Sequence, residues 1–247
     1  MDLREVRAGQ TRRHPWERAR ASALRRIIEG VSFGRVLEVG CGDGFAGAEL
    51  LADRPVEYTG VDPNLDAGRI AVLETRHPGW TYTRELEPRD GRSVDLLLLL
   101  DVLEHVEDDR ALLLRVVDEH LAPGGHALIT APAFQVLFSA HDRFLHHIRR
   151  YSPDDLQAAA EAAGLSRLRR GYLFSSLLPV RALSVALQRA MPAWRPAKLG
   201  LGAWSHGNLV TRALELALEA DNRLLFALAA AGVRLPGLTI WMLCRRP

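Results

Sequence analysis

Cysteine is nearly missing from this chain: there are 2 in 247 residues, Cys41 and Cys244. Two distant cysteines exclude a disulfide framework and a cysteine-based zinc site, and the expected setting is a reducing cytoplasm. Long apolar runs are also missing. No segment approaches the ~20 apolar residues of a membrane span. The opening M-D-L-R-E-V-R lacks the apolar core of a signal peptide. Charge of one sign is not in excess either. Lys and Arg number 32 against 30 Asp and Glu, a formal net charge of +2, so bulk electrostatics does not call for a nucleic-acid partner. What remains is 48% hydrophobic and 25% charged. That is the balance of a folded globular chain, long enough for one α/β domain with additions.

The most informative stretch is Val36–Gly44, V-L-E-V-G-C-G-D-G. Arg35–Val39 is short and branched, as in a buried parallel strand. Gly40, Gly42 and Gly44 let the chain turn sharply and approach a ligand closely. Phe45–Ala52 then opens a helix whose first free N–H groups favour a polar or anionic ligand. The spacing E-x-G-x-G-x-G differs from the dinucleotide fingerprint G-x-G-x-x-G. It resembles the first motif of class I S-adenosylmethionine-dependent methyltransferases.

Later segments extend the resemblance. Tyr58–Val61 is a second apolar strand followed directly by Asp62, close to the ~20-residue offset of an acid that accepts from ribose hydroxyls. Val94–Leu100, V-D-L-L-L-L-L, reads as the central strand and ends in Asp101 within D-V-L-E-H-V. A helix through Val117 follows; Asp101 and Glu104 either cap a helix Val102–Val117 or, with His105, form the group that in the resembled family lies beside the methionine moiety and lines the acceptor site. The turn L-A-P-G-G at Leu121–Gly125 then leads into a strand His126–Thr130. This order resembles small-molecule methyltransferases of the methyltransferase-11/12 type, over Val36 to about Leu165. The resemblance implies an α/β, Rossmann-like, doubly wound seven-stranded sheet with its last strand antiparallel, and S-adenosyl-L-methionine as cofactor. It also implies cofactor contacts at Glu38, Gly40, Cys41, Gly42, Gly44, Asp62, Pro63, Asp101 and Val102. Adenine is expected near Glu85–Asp90, after a short third strand Trp80–Arg84.

The chain divides into an N-terminal helical extension (1–32), a cofactor-binding core (33–173), a helical insertion between strands six and seven (174–236) and a last core strand (237–247). The extension carries H-P-W-E-R-A-R, which resembles the entry of some methyltransferase-12 relatives, and a helix Trp16–Ile28. That helix either shields the cofactor or packs on the surface through Trp16 and Ile27. Pro153–Ala163 is a helix capped by Ser152, with Pro153 first and Asp154–Asp155 in its first turn. Leu165–Tyr172 and Leu238–Cys244 are the last two strands. The roughly sixty residues between them are too many for a structureless loop. Leu177–Met191 and Leu209–Ala231 read as helices. This insertion, placed away from the glycine loop, is expected to shape the acceptor pocket. A homodimer surface and a peripheral membrane contact through Trp194, Arg195, Lys198 and Trp204 stay open beside that role.

The segment Ser139–Tyr151, S-A-H-D-R-F-L-H-H-I-R-R-Y, follows the fifth strand, where an open α/β sheet presents its ligands. It resembles the H-D-x-x-x-x-H-x-R-R-Y stretch of bacterial methyltransferase-12 relatives, except that His146 stands where they carry glycine. His141 and His147 are the candidate catalytic bases, because imidazole titrates near working pH. Alternatively Arg149 and Arg150 pair with Asp142 or Asp154 and simply hold the loop. No metal is expected, since the histidines form one local run with no second ligand group upstream. The expected function is methylation of a small-molecule acceptor on oxygen with a histidine base. The alternative is a non-catalytic cofactor-binding protein or partner subunit with the same fold. A protein or RNA methyltransferase lacks support, without an N-P-P-Y/F signature or an aromatic-rich basic face.

Overall fold

The leucine run Val94–Leu100 forms β4, and its alternation divides the core into two layers. Leu96, Leu98 and Leu100 pack in one layer, while Leu97 and Leu99 pack in the other. Both layers must therefore be covered, which requires helices on both faces of the sheet. The structure, a computed structural model, describes residues 13–87, 94–191, 204 and 206–247.

Seven strands form one sheet: β1 (Arg35–Val39), β2 (Glu57–Val61), β3 (Thr81–Thr83), β4, β5 (Leu121–Pro132), β6 (Ser166–Leu173) and β7 (Thr239–Arg245). Their order is β3-β2-β1-β4-β5-β7-β6. The first five are parallel, and β7 runs antiparallel to both β5 and β6. Strand order reverses between β1 and β4, so a crevice opens at their carboxyl ends. On one face lie α1 (Pro15–Ile27), α2 (Phe45–Leu51) and α8 (Asn208–Ala230). On the other lie α4 (Asp109–His120) and α6 (Pro153–Ala162). The remaining helices are α3 (Ala67–Arg76), α5 (Ala140–Phe144) and α7 (Leu177–Ala190). The expected helices of the insertion are therefore α7 and α8, with bounds shifted by a residue.

Local chemistry explains where expectation and structure part. The expected single helix Val102–Val117 is instead a 3-10 turn, Leu103–His105, followed by α4 from Asp109. Asp108 caps α4 by accepting from Ala111 N at 2.9 Å, so of the two readings open for Asp101 and Glu104 the cap falls away, and both line the cavity described below. Asp101 has φ +60°, which turns the chain out of the strand at once. The L-A-P-G-G turn is absorbed into β5 as an irregularity: the register with β4 shifts between Val94 and Leu96, and Gly124 has φ +78°. The cap of α6 is as expected, a reciprocal box between Ser152 and Asp155.

The insertion is not remote from the rest of the molecule. α8 packs along α1, and a buried amide fixes the contact. Asn222 accepts from Phe174 N at 3.0 Å and donates to Ala19 O at 3.5 Å. Thus the residues that follow β6 hold the helix that precedes β1.

Candidate active site

The glycine loop is built from the carboxyl end of β1. Gly40 N donates to Val61 O at 2.7 Å, which ties the loop to β2. Gly40, Gly42 and Gly44 all have positive φ, the region that side chains resist. At Gly40 a Cβ would also come within 2.6 Å of Val102 Cγ2. Asp62 is buried and locks the loop: its Oδ2 accepts from Gly42 N at 3.0 Å, and its Oδ1 from Asn64 N at 2.8 Å and Asn64 Nδ2 at 3.1 Å.

A cavity of about 710 Å³ opens above this loop. Of the expected cofactor residues, Gly40, Asp62, Pro63, Asp101 and Val102 line it. Gly42 acts through Asp62, and Gly44 is the left-handed residue that heads α2. Glu38 and Cys41 are buried supports beneath the loop. Glu38 accepts from the Tyr58 hydroxyl at 2.6 Å, and burial pushes its carboxyl up to about 7. Burial likewise pushes the Cys41 thiol far above its ordinary value. Of the expected adenine segment, Asp90 lies outside the described residues. Glu85 bonds to Thr83 through its backbone, with N donating to Oγ1 at 3.1 Å.

The first turn of α1 reaches over the cavity. His14, the N-cap of α1, lines it together with Trp16 and Arg20. Arg13 pairs with Asp43 at 2.5 Å, which ties this end to the glycine loop. Arg20 crosses to the end of β4, donating to Thr130 Oγ1 and pairing with Asp101 Oδ2, both at 2.8 Å. Thr130 Oγ1 in turn donates to Asp101 Oδ1 at 2.8 Å. Arg20 closes the H-P-W-E-R-A-R stretch, but no sequence signal marked its pairing with Asp101, because the two are far apart along the chain.

The histidine segment closes the opposite end of the cavity, where His141 and His147 both appear on the wall. Its centre is Asp142, fully buried. The carboxylate accepts from Ser139 N at 2.9 Å, Arg150 Nε at 2.7 Å and Arg181 Nη2 at 2.9 Å, and bonds His147 Nδ1 at 3.2 Å. Burial alone would raise the carboxyl, but His147, Arg150 and Arg181 more than offset it and hold it well below the usual range. Arg149 pairs with Asp109 at 3.1 Å, and Asp154 pairs with Arg170 at 3.2 Å. The departure at His146 has a physical meaning. Its φ is +58°, the position glycine prefers after a helix. His146 N donates to Arg143 O at 3.1 Å and His147 N to Asp142 O at 2.9 Å, the paired bonds of a Schellman ending to α5.

Expectation failed at one point here, the lack of an upstream ligand group. Ile148 N donates to Glu104 O at 2.8 Å, which draws the segment against the 3-10 turn after β4. His105 and His147 rings then meet edge-on, with centroids 4.7 Å apart and planes at 81°. Glu104 is buried beside them, and burial together with the Asp101 charge pushes its carboxyl well above the ordinary range.

The insertion completes the wall. Leu177, Arg181, Leu214 and Leu218 line the cavity. Trp194, Arg195 and Lys198 lie outside the described residues. Trp204 packs edge-on against His14, with ring centroids 4.8 Å apart. Among the described residues, no helix is long and apolar enough to cross a membrane.

Comparison with known proteins fits this geometry. The family model described as a methyltransferase domain matches residues 10–169. No curated protein matches the sequence. Solved structures that resemble the fold include an S-adenosylmethionine-dependent methyltransferase from Mesorhizobium loti. It has a TM-score of 0.58 at 18% identity, covering 92% of this chain and 98% of that one. The N-methyltransferase NodS from Bradyrhizobium japonicum, in complex with S-adenosylhomocysteine, has a TM-score of 0.57 at 18% identity, covering 99% and 95%. A phosphoethanolamine N-methyltransferase from Haemonchus contortus has a TM-score of 0.56 at 16% identity, covering 94% and 53%.

Proposed function

This chain belongs to the methyltransferase family, and from that premise we propose that it transfers the methyl group of S-adenosylmethionine to a hydroxyl oxygen of a small, partly apolar acceptor. The observation that carries this reading is the continuous cavity, with Gly40 and Asp62 at one end and His141 and His147 at the other. Its volume suits two small ligands held side by side.

The residues present fit the cofactor. The Gly40 turn leaves no room for a side chain against Val102, so the loop presents bare backbone to the cavity. Asp62 offers a buried carboxylate on the cavity wall for ribose hydroxyls. Asp101 lines the same cavity at the end of β4, held by Arg20 and Thr130. When bound, the cofactor supplies an activated methyl group. The protein's task is then to position the acceptor in line and to remove its proton.

His141 is the base in this reading, with His147 beside it on the same wall. Burial lowers His141 to about 4, so the ring is unprotonated at neutral pH and free to accept. The hydroxyl proton passes to His141 as the oxygen–carbon bond forms and the carbon–sulfur bond breaks. The products are a methyl ether, S-adenosylhomocysteine and one proton, released later to solvent. Trp16, Leu145, Leu177, Leu214 and Leu218 give the cavity an apolar wall, which favours an acceptor with an apolar body. In this reading 1–32 is a cover for the cofactor, 33–173 with 237–247 the catalytic core, and 174–236 a cap that selects the acceptor.

The test is mass gain of candidate acceptors incubated with S-adenosylmethionine, for the native chain and His141→Ala. Loss of a general base should lower kcat by about 10²–10⁴-fold with cofactor affinity unchanged. Unaltered turnover in His141→Ala would remove the histidine base and assign an acceptor that is already nucleophilic.

A further inference from the structure

Methyl transfer as described leaves one buried group without a task. Glu104 lies fully buried on the cavity wall, and neither carboxylate oxygen has a hydrogen-bond partner among the described residues. The other carboxylates of this end are answered by cations: Asp101 by Arg20, and Asp142 by Arg150 and Arg181. A buried carboxylate with no donor must either hold a proton or meet a cation.

Two imidazoles stand next to it. One ligand atom from each of Glu104, His105 and His147 lies within 4.8 Å of the other two. Asp142 occupies His147 Nδ1, which leaves Nε2 as the ligand atom. A carboxylate behind a histidine is the arrangement that fixes tautomer and ring orientation in metal sites. Around an ion with bonds of ~2.1 Å, tetrahedral ligand atoms sit ~3.4 Å apart, so small rotations of the imidazoles close the set.

We propose that Glu104, His105 and His147 bind one divalent transition-metal ion at the acceptor end of the cavity, where an open position takes the acceptor's hydroxyl oxygen. Two imidazoles and a carboxylate are the donors of ions such as Zn²⁺, Co²⁺ and Fe²⁺. Mg²⁺ and Ca²⁺ favour all-oxygen shells. The ion compensates the Glu104 charge and acidifies the bound hydroxyl. The acceptor proton still passes to His141, and the oxygen–carbon bond still forms as carbon–sulfur breaks. This role rests on the hydroxyl-acceptor reading given above, whereas binding of the ion does not.

The experiment is titration of the chelator-stripped chain with Zn²⁺, without cofactor or acceptor. One ion per chain is expected. His105→Ala, His147→Ala and Glu104→Gln should each weaken binding by at least ~10-fold, and Asp142→Asn by ~10- to 100-fold as a supporting group. Co²⁺ should give visible absorption bands that His147→Ala removes. Retained affinity for S-adenosylmethionine shows which variants are folded. Absence of stoichiometric binding, or an affinity that survives the ligand variants, overturns the site and leaves Glu104 holding a proton. The two readings fail separately. An ion that binds while His141→Ala turns over normally removes the base and keeps the site. Full turnover by the stripped chain removes the ion from the reaction and keeps the methyl transfer.

Discussion

Replacement of Glu38 by glutamine should make the protein more stable at alkaline pH and leave it unchanged at acid pH. Glu38 sits beneath the glycine loop with no exposed surface to speak of; a Cβ built at Gly47 would come within 2.5 Å of its Oε2. Burial raises its carboxyl from an ordinary 4.5 to about 7, against the opposing effects of the Tyr58 hydroxyl and the Arg20 charge. Between those values the folded chain binds more protons than the unfolded one, so stability falls as pH rises. Below the unfolded value both states are protonated and nothing is lost; above the folded value the loss is complete. The difference of about 2.5 pKa units corresponds to ~3 kcal/mol at ~1.4 kcal/mol per unit. Glutamine keeps an oxygen for the Tyr58 hydroxyl and carries no charge. Urea unfolding of both proteins between pH 4 and pH 8 checks this. The glutamine variant should gain up to ~3 kcal/mol relative to the native chain, mostly between pH 5 and 7. A difference that stays constant with pH would refute the argument, because it would show that Glu38 carries its charge at no extra cost in the folded state.

Three further outcomes are expected. Gly40→Ala should weaken cofactor binding and lower the melting temperature, since it meets both a φ of +75° and Val102; adding Val102→Ala should recover only the steric part, measured by calorimetry and thermal unfolding. Asp142→Asn should cost ~3–5 kcal/mol in chemical unfolding, because Arg150, Arg181 and His147 lose one shared buried carboxylate. His146→Gly should stabilise the chain by about 1 kcal/mol in the same assay, relieving a left-handed backbone without touching Asp142.

The architecture and the glycine loop were legible in the residues. The leucine run of β4 had to be a doubly covered strand, and the glycines after Glu38 had to turn the chain sharply. Both are local statements about the chain: side-chain alternation in one case and the lack of Cβ in the other. The same local signals placed Ser152 as a helix cap, and they marked Asp62 by its distance from the loop. What they could not give was the partnership of distant residues. Arg20 reaches Asp101 only because α8 holds α1 against the sheet. Arg181, from the insertion, reaches Asp142 only because α7 folds back over the histidine segment. Glu104 and His105 meet His147 only because β4 and β5 are parallel neighbours whose carboxyl ends open into one crevice. Periodicity and turn chemistry act over a few residues, whereas charge pairing and ligand convergence act through space. The side-chain cluster around Asp142, Glu104 and the histidines therefore depends on how distant segments pack.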